Sequence, residues 1–280
     1  MLNSAIFCNF APNMVRFLAL GSGSSGNAYL LMTNDDNLMI DAGIGIRKLK
    51  KHFVANHMRL ESLQRILITH DHADHVKSVG YVSAENSIPV YATKTVHEGI
   101  YKNYCVKKKV ALENQHSIVK DETIQLGSFS ITPFHVPHDS LDNVGYRIEV
   151  EGIVFSIITD CGYVTDRIAE VISESNYLVL EANHDREMLM NGVYPKFLKE
   201  RVSSNTGHLS NAQCAEALVN HATPALRHVW LCHLSEENNH PELARKTVEA
   251  TLKSSGIIAG KDFKLDVLKR KSPSEFFVLE

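Results

Sequence analysis

The stretch Thr69-His70-Asp71-His72-Ala73-Asp74-His75 follows directly on an apolar, strand-like run. Five of its seven side chains can bind a metal ion, and burying so many of them without partners would be costly. His70 and His72 are two residues apart, so they share one face of an extended segment. Asp74 and His75 come after the turn and can point to a second position. One short loop could therefore supply ligands to two adjacent metal sites.

Three later residues that can bind a metal also follow apolar, strand-like runs, namely His138, Asp160 and His233. If the strands are aligned, their ends meet at one edge of the sheets, where binding sites collect in mixed α/β proteins. His135 competes with His138, because residues three apart at a strand end cannot both face the site. Asp160 shared by two cations would offset their repulsion. The simpler alternatives are that Asp160 only starts a turn and that His233 only caps the nearby chain.

A glycine-rich loop, Gly21-Ser22-Gly23-Ser24-Ser25-Gly26, has the G-x-G-x-x-G pattern of dinucleotide-binding proteins. That function needs a helix immediately after the loop. Residues 28–32 have a strand pattern instead. The sequence therefore favours a tight connection between two strands, in which small side chains let a metal or a substrate approach the backbone.

Composition excludes several classes of protein. The 280 residues carry 29 Lys and Arg against 32 Asp and Glu, a net charge of −3, with 44% hydrophobic and 22% charged residues. These values exclude gross disorder and a collagen-like repeat. The near-neutral charge does not indicate a nucleic-acid binder, although a local basic patch would serve that purpose. No apolar run reaches the roughly 18 residues that a transmembrane helix needs.

The five cysteines are scattered and never spaced as C-x-x-C. This pattern argues against a thiolate zinc site and for a reducing compartment, so we expect a cytoplasmic protein. Residues 1–13 lack the basic start of a signal peptide. They are predicted to be an N-terminal extension, with Met14 as an alternative start. Residues 14–280 are predicted to form a single domain.

Short apolar runs rich in β-branched residues predict strands, and fewer segments have a helical pattern. Ser210 with Gln213 makes a capping box before one helix, and Pro241 begins another. This order predicts two mixed sheets packed on each other with helices outside. The predicted strands are residues 15–20, 28–32, 38–41, 65–69, 90–92, 124–126, 129–135, 144–150, 153–159, 177–180 and 229–232. The predicted helices are residues 46–53, 74–83, 165–173, 211–221 and 241–253.

His208 lies close to a predicted helix N-terminus, where backbone N–H groups favour an anion such as phosphate. That position disfavours a protonated imidazole unless a phosphate supplies the compensating charge. Cys161 and Cys232 adjoin candidate ligands but should point the other way, as packing residues. Seven other histidines are interpreted as surface or capping residues: His52, His57, His97, His116, His221, His228 and His240.

In the order of its candidate ligands, the chain resembles the metallo-β-lactamase-fold hydrolases: the H-x-H-x-D-H motif is followed by His138, Asp160 and His233. The resemblance covers most of the chain from about Met14. It implies an α/β fold, a four-layer αββα sandwich, with two divalent metal ions. Zn²⁺ and Mn²⁺ suit such ligands, as does Fe²⁺. By this resemblance one ion is held by His70, His72 and His138, the other by Asp74, His75 and His233, and Asp160 bridges the two.

Four segments are similar to signatures of the YycJ-like branch of this superfamily, also called WalJ, which is associated with 5′-to-3′ DNA exonuclease activity. A late histidine of the phosphodiesterase members maps onto His208. Ala182 stands where serine is expected, and it cannot donate a hydrogen bond. The segments are residues 21–27, 181–185, 207–211 and 233–239. They carry six further candidates for substrate contact or support of the site: Ser24, Asn27, Asn183, His184, Ser235 and Asn238.

The predicted function is a metal-dependent phosphodiesterase that cleaves DNA by a metal-bound hydroxide, whose pKa the cations lower. Asp74 would orient the hydroxide and accept its proton, and His208 would donate a proton to the leaving oxygen. The alternatives on the same site are a cyclic-phosphate phosphodiesterase, a lactonase or a thioesterase; the ester hydrolases need no counterpart of His208. A third alternative is a non-catalytic, metal-binding regulatory protein, although structural metal sites are closed.

Binding of DNA requires a basic surface. Three runs of the sequence are candidates, at residues 47–51, 107–109 and 269–271. Such runs are more often simple solvated faces.

Overall fold

Seven strands form a first mixed sheet in the computed structural model, which describes residues 14–280. In their order across the sheet they are β14 (Phe277–Leu279), β1 (Val15–Gly21), β2 (Ala28–Met32), β3 (Asn37–Ile40), β4 (Arg65–Leu67), β5 (Val90–Ala92) and β6 (Gln115–Ser117). β14, β1, β2 and β3 are antiparallel neighbours, and β3 to β6 run parallel. The predicted extension at residues 1–13 lies outside the described residues.

A second sheet is also built from seven strands. In order they are β13 (Lys264–Val267), β12 (His228–Cys232), β11 (Tyr177–Glu181), β10 (Ile153–Ile158), β9 (Val144–Val150), β8 (Phe129–His135) and β7 (Ile124–Leu126). β7 to β10 form an antiparallel meander, and β10 to β13 run parallel.

The two sheets pack face to face through large apolar side chains. Phe17 and Tyr29 come from the first sheet, Tyr146, Phe155 and Trp230 come from the second, and all five are fully buried. The ring centroids of Phe17 and Trp230 are 4.7 Å apart across the interface. Aromatic side chains bury about 150–250 Å² each, so this layer supplies a large share of the hydrophobic stabilisation.

Helices cover the outer faces of both sheets. α1 to α4 pack on the first sheet, with Phe53 and Val96 in their core, and α5, α8 and α9 pack on the second through Ile168, Leu218 and Val248. The predicted four-layer αββα sandwich is therefore confirmed. No helix in the described part of the chain is long and apolar enough to cross a membrane. The helices are α1 (Ile46–Ala55), α2 (Ala73–Val76), α3 (Val79–Ser83), α4 (Lys94–Lys102), α5 (Asp166–Glu174), α6 (Arg186–Asn191), α7 (Lys196–Val202), α8 (Asn211–His221) and α9 (Pro241–Ser254).

The eleven predicted strands are present within one or two residues, and so are four of the five predicted helices. The predicted helix at residues 74–83 is instead two short helices, α2 and α3. The sequence does not predict β6, β13 and β14, or α4, α6 and α7. Apart from α4, these elements have seven residues or fewer, and β6 has no buried side chain that would give it an apolar pattern.

Two histidines that the sequence assigns to the surface or to caps are buried instead. His97 is 7% exposed and donates through Nε2 to the carbonyl of His116 at 3.0 Å. His228 is 6% exposed and stacks on Trp230, with ring centroids 4.0 Å apart. Each also contacts a residue distant in the sequence, Phe277 for His228 and the carbonyl of His116 for His97, so local pattern did not reveal their burial. His240 does cap α9, where it accepts a hydrogen bond from the backbone of the first turn.

Candidate metal centre

The strand directions bring the predicted site residues to one edge of both sheets. β8, β10 and β12 run the same way, so their ends, which precede His138, Asp160 and His233, lie at the same edge of the second sheet. In the first sheet, β4 leads into the H-x-H-x-D-H loop. The sheets meet at this edge, where the backbone N–H of Val144 donates to the carbonyl of Thr69 at 3.0 Å.

Three histidines form a first cluster. One ring nitrogen each of His70, His72 and His138 lies within 4.8 Å of the others. His138 donates through Nδ1 to the carbonyl of Gly207 at 3.1 Å, which leaves its Nε2 as an acceptor, 3.2 Å from Nδ1 of His72. Nδ1 of His70 contacts the hydroxyl of Thr69 at 3.0 Å.

A second cluster consists of Asp74, His75 and His233, again with one possible ligand atom each within 4.8 Å. Oδ2 of Asp74 lies 3.4 Å from Nε2 of His233 and 3.7 Å from Nε2 of His75. Asp160 lies between the clusters. Its Oδ2 is 3.2 Å from Nε2 of His75, and its Oδ1 is 3.6 Å from Nε2 of His138. One carboxylate therefore reaches both clusters.

Asp41, whose role was not predicted from the sequence, contacts the ring of His75 on the side away from the cluster. Its Oδ2 lies 2.7 Å from Nδ1 of His75, and both side chains are fully buried. The backbone N–H and the hydroxyl of Thr69 donate to the same carboxylate, both at 2.9 Å. A carboxylate in this position fixes the tautomer of a metal-binding imidazole. The available signal was an acid at the end of the predicted strand 38–41.

Glu181 is the second residue of the site whose role was not predicted from the sequence. Its Oε1 lies 2.9 Å from Nδ1 of both His208 and His233. Its Oε2 accepts the backbone N–H groups of Cys161 and Leu209 at 2.8 and 3.1 Å. These contacts use both oxygens, so Glu181 positions the two rings. Its place at the end of a buried strand, at the edge where the other candidates collect, was the signal for it.

Three residues of the site have left-handed backbone conformations. The φ angles are 59° at Asp41, 53° at Asp160 and 53° at His233. This conformation costs a non-glycine residue roughly 1 kcal/mol or more. Asp41 and His233 directly follow a strand and Asp160 comes two residues after one, so the sharp turn directs each side chain into the site instead of continuing the sheet.

The glycine-rich loop connects β1 to β2, as the sequence predicts, and it also supports the second cluster. At Gly26, with φ 146°, a Cβ atom would lie 2.6 Å from the carbonyl oxygen of Gly43. This close packing places Asn27, whose Nδ2 lies 2.9 Å from Nε2 of His75. The hydroxyl of Ser22 accepts the backbone N–H of His233 at 2.9 Å.

Carboxylates dominate the electrostatics of the site. Burial would lower the pKa of His233, but the surrounding carboxylates, chiefly Asp160, outweigh it and raise the pKa to about 10. The pKa of His75 is likewise raised well above its ordinary value against the effect of burial, chiefly by Asp160. Burial holds the pKa of His70 well below its ordinary value. The site thus favours positive charge at two rings.

The donor set fits a divalent cation. Imidazole nitrogens and carboxylate oxygens suit Zn²⁺, Mn²⁺ and Fe²⁺. Nε2 of His70 is buried and has no hydrogen-bond partner, whereas nearly all buried polar atoms have one; a cation would satisfy it. The clusters therefore support divalent-metal binding.

A cleft of ≈ 210 Å³ opens onto the clusters. His208 lies in its wall. Asn27 lies behind the cleft, against His75. The cleft is lined by Ser24, His72, Asp74, Asp160, Asn183, Tyr194, Leu198, Arg201, Val202, His208, His233, Ser235 and Asn238.

Some of the singled-out residues do not reach the cleft. His184, a candidate for support of the site, lines a separate cavity together with Arg186. The carboxylate of Asp71 packs against α4, where a Cβ atom on Gly99 would lie 2.4 Å from its Oδ2. His135 is exposed, and His138, the alternative to it, belongs to the first cluster. The cysteines predicted to be packing residues are fully buried, and the four described cysteines are free thiols.

The fold and the two clusters define a metallo-β-lactamase-fold protein. Zn²⁺-bound PqqB from Methylobacterium extorquens matches it with a TM-score of 0.72 at 17% sequence identity, over 93% of this chain and 99% of that one. Residues 36–233 match the family described as the beta-lactamase superfamily domain.

Two relatives match over most of their length. Exodeoxyribonuclease WalJ of Streptococcus pneumoniae serotype 2 (strain D39) is 35% identical over 250 residues, 89% of this chain and 93% of WalJ. Exodeoxyribonuclease YycJ of Bacillus anthracis is 31% identical over 261 residues, 93% of this chain and 98% of YycJ. The chain therefore belongs to the β-lactamase superfamily and, within it, to the family of these two relatives. The predicted fold and family are confirmed.

Proposed function

We propose that this chain is a metal-dependent phosphodiesterase that digests DNA from the 5′ end. The observation that carries the proposal is the pair of clusters joined by Asp160, with His208 in the wall of the same cleft. Membership in the family of two exodeoxyribonucleases supports the enzyme class, a metal-dependent nuclease. The 5′-to-3′ direction rests on the resemblance of sequence segments. The single domain over residues 14–280 and the cytoplasmic location stay predictions.

The proposed cofactors are two divalent ions, zinc or manganese, with iron as the third possibility. When bound, they would supply Lewis-acid activation of water and neutralise charge on the phosphoryl oxygens. The proposed ligands are those of the two clusters: His70, His72 and His138 for one ion, Asp74, His75 and His233 for the other, and Asp160 for both.

Asp74 is the proposed proton acceptor. It lines the cleft, and its side chain is 24% exposed, whereas Asp160 is 2% exposed. Burial opposes its ionisation, but His75 and His233 hold the pKa of Asp74 below its ordinary value. A carboxylate that stays ionised at the surface of the cleft can orient a water molecule and accept its proton.

His208 is the proposed proton donor to the leaving oxygen. Against the effect of burial, Glu181 raises the pKa of His208, which favours the protonated form that a general acid needs. The sequence predicted that the helix N-terminus disfavours a protonated ring unless a phosphate supplies the compensating charge; the buried carboxylate of Glu181 can supply that charge instead.

The test is digestion of end-labelled single- and double-stranded DNA with and without Mn²⁺ or Zn²⁺. We expect metal-dependent shortening from the 5′ end by the wild-type protein and none by Asp74→Asn. Asp35→Asn, at an exposed position outside the cleft, is the matched control and should digest normally.

Two outcomes would contradict the proposal. Shortening from the 3′ end would overturn the direction and leave the nuclease. No digestion in any metal, combined with hydrolysis of a cyclic phosphate, a lactone or a thioester, would assign the site to a small-molecule hydrolase instead.

A further inference from the structure

The end of α4 and the loop after it expose alternating aromatic and basic side chains, in a stretch that we call the tyrosine–lysine segment (residues 101–108). Tyr101 is 68% exposed and Tyr104 is 84% exposed. Three lysines are exposed between and after them: Lys102, Lys107 and Lys108. Single exposed apolar side chains are common, but a contiguous exposed group of them often marks an interaction site.

The segment is held in place despite its exposure. Val106 and Val110 are buried in the core of the first sheet's outer face. Nζ of Lys109 donates to the carbonyls of Ile100 and Asn103 at 3.3 and 2.8 Å. Lys109 is therefore structural, and the tyrosine rings are presented on a fixed backbone.

The segment is tied directly to the candidate metal centre. Nδ2 of Asn103 donates to the backbone carbonyl of Asp71 at 2.7 Å. Asp71 stands between His70 and His72 in the H-x-H-x-D-H loop. Tyr104 directly follows Asn103 in the sequence. The tyrosine–lysine segment is therefore in contact with the loop that supplies two histidines of the first cluster.

The local charge differs from that of the whole chain. Residues 94–109 hold five lysines and one acidic residue, a surplus of four positive charges in a chain with a net charge of −3. The other two basic runs are partly neutralised, because Lys50 pairs with Glu85 and Lys271 pairs with Glu236. Within residues 14–280, none of the ion pairs includes the three exposed lysines of the tyrosine–lysine segment.

We propose that the tyrosine–lysine segment binds a single-stranded stretch of the DNA substrate next to the cleft. The inference rests on the proposed nuclease function. Unpaired bases stack on exposed aromatic rings, and lysines neutralise the phosphates between them. A duplex keeps its bases stacked internally, so the tyrosines select single strands.

The probe is a fluorescent oligo-dT of about 20 nucleotides, and the readout is its anisotropy with full-length protein carrying Asp74→Asn, so that the probe is not digested. The triple variant Lys102→Ala, Lys107→Ala, Lys108→Ala should bind at least tenfold more weakly. The slope of log K against log salt concentration should fall by about 2, since each lost phosphate contact removes about 0.7 for single strands. The control triple variant Lys246→Ala, Lys253→Ala, Lys261→Ala, which removes the same charge from exposed sites around α9, should bind as the parent does.

Tyr104 separates stacking from charge. Tyr104→Ala should weaken binding about tenfold, and Tyr104→Phe should retain it, because the phenyl ring still stacks. Unchanged affinity and salt slope in the lysine triple variant would overturn the inference whether or not the protein digests DNA. Equal binding of a blunt duplex would overturn the single-strand selectivity. Binding through the segment without digestion would instead contradict the proposed function alone.

Discussion

Nδ1 of His208 lies 2.9 Å from Oε1 of Glu181. The same oxygen lies 2.9 Å from Nδ1 of His233, so one buried carboxylate holds both the proposed acid and a proposed metal ligand. Burial opposes its ionisation, but His208 and His233 lower the pKa of Glu181 to about 2. An ionised carboxylate at this point orients both rings and favours a proton on His208.

Glu181→Gln should therefore lower activity without unfolding the protein. The amide is nearly the same size, but it is neutral and cannot serve all four contacts, so we expect kcat to fall about 10- to 100-fold. The pKa of His208 should fall, which would move the basic limb of the pH–rate profile to lower pH. Glu113→Gln, at an exposed position, is the control. A variant with the wild-type pH profile would show that Glu181 does not act through His208.

His208→Gln should slow the chemical step more than it reduces metal binding. Loss of a general acid typically costs about 10²- to 10⁴-fold in rate. With a p-nitrophenyl phosphodiester the loss should be much smaller, because that leaving group departs without a proton. Metal content, measured by elemental analysis, should match that of wild-type protein and of the exposed control His135→Gln. Equal losses on both substrates, or loss of metal, would show that His208 is not the proton donor.

Residues of the candidate site that are adjacent in the sequence, or that end a strand, were predictable from the sequence. His70, His72 and Asp74 share one loop, and Asp160 and His233 directly follow predicted strands. Strand direction then brings them together without any knowledge of side-chain packing.

Asp41 and Glu181 were not predictable in the same way. Their roles come from contacts with His75, His208 and His233, which are distant in the sequence and meet them only after the sheets pack. A carboxylate at a strand end has the same local pattern whether it is buried behind a ligand or solvated. Packing, which a single sequence does not display, decides between the two.

Some residues that neighbour site residues in the sequence point away from the site in the folded protein. His184 follows Asn183, and Asp71 lies between His70 and His72. Neighbouring side chains of an extended segment point to opposite faces. His184 accordingly lines the separate cavity, and Asp71 packs against α4. Applied strictly, this alternation would have excluded His184, which the sequence had offered as a candidate for support of the site.

Trp230→Ala should destabilise the fold more than any surface change. The side chain is fully buried between the sheets and contacts Phe17 and His228. Removing a large buried aromatic side chain leaves a cavity and costs about 3–5 kcal/mol. Urea denaturation of metal-saturated protein measures the loss, and Leu112→Ala, which truncates a side chain that is 83% exposed, should change stability by less than about 0.5 kcal/mol. A loss below about 1 kcal/mol for Trp230→Ala would contradict the central role of this layer.

The stability of the protein should fall between pH 7 and pH 4.5, and His184 should account for part of that loss. His184 is 2% exposed, and burial lowers its pKa from an ordinary 6.5 to about 4. Above pH 6.5 the ring is neutral in both folded and unfolded states, so its contribution is complete. Below pH 6.5 the ring is protonated in the unfolded chain, whereas in the folded protein it stays neutral down to about pH 4. This difference in proton binding lowers the free energy of unfolding by about 3 kcal/mol in total.

His184→Gln removes the titrating group, so its free energy of unfolding should vary less with pH over this range than that of the wild-type protein. The difference in slope is the measure, since any loss of packing shifts the whole curve and leaves the slope unchanged. His116→Gln, at an exposed position, should retain the wild-type slope. Parallel curves for wild-type and His184→Gln would mean that the unfolded and folded states bind the proton equally, and that the burial of this ring does not set its pKa.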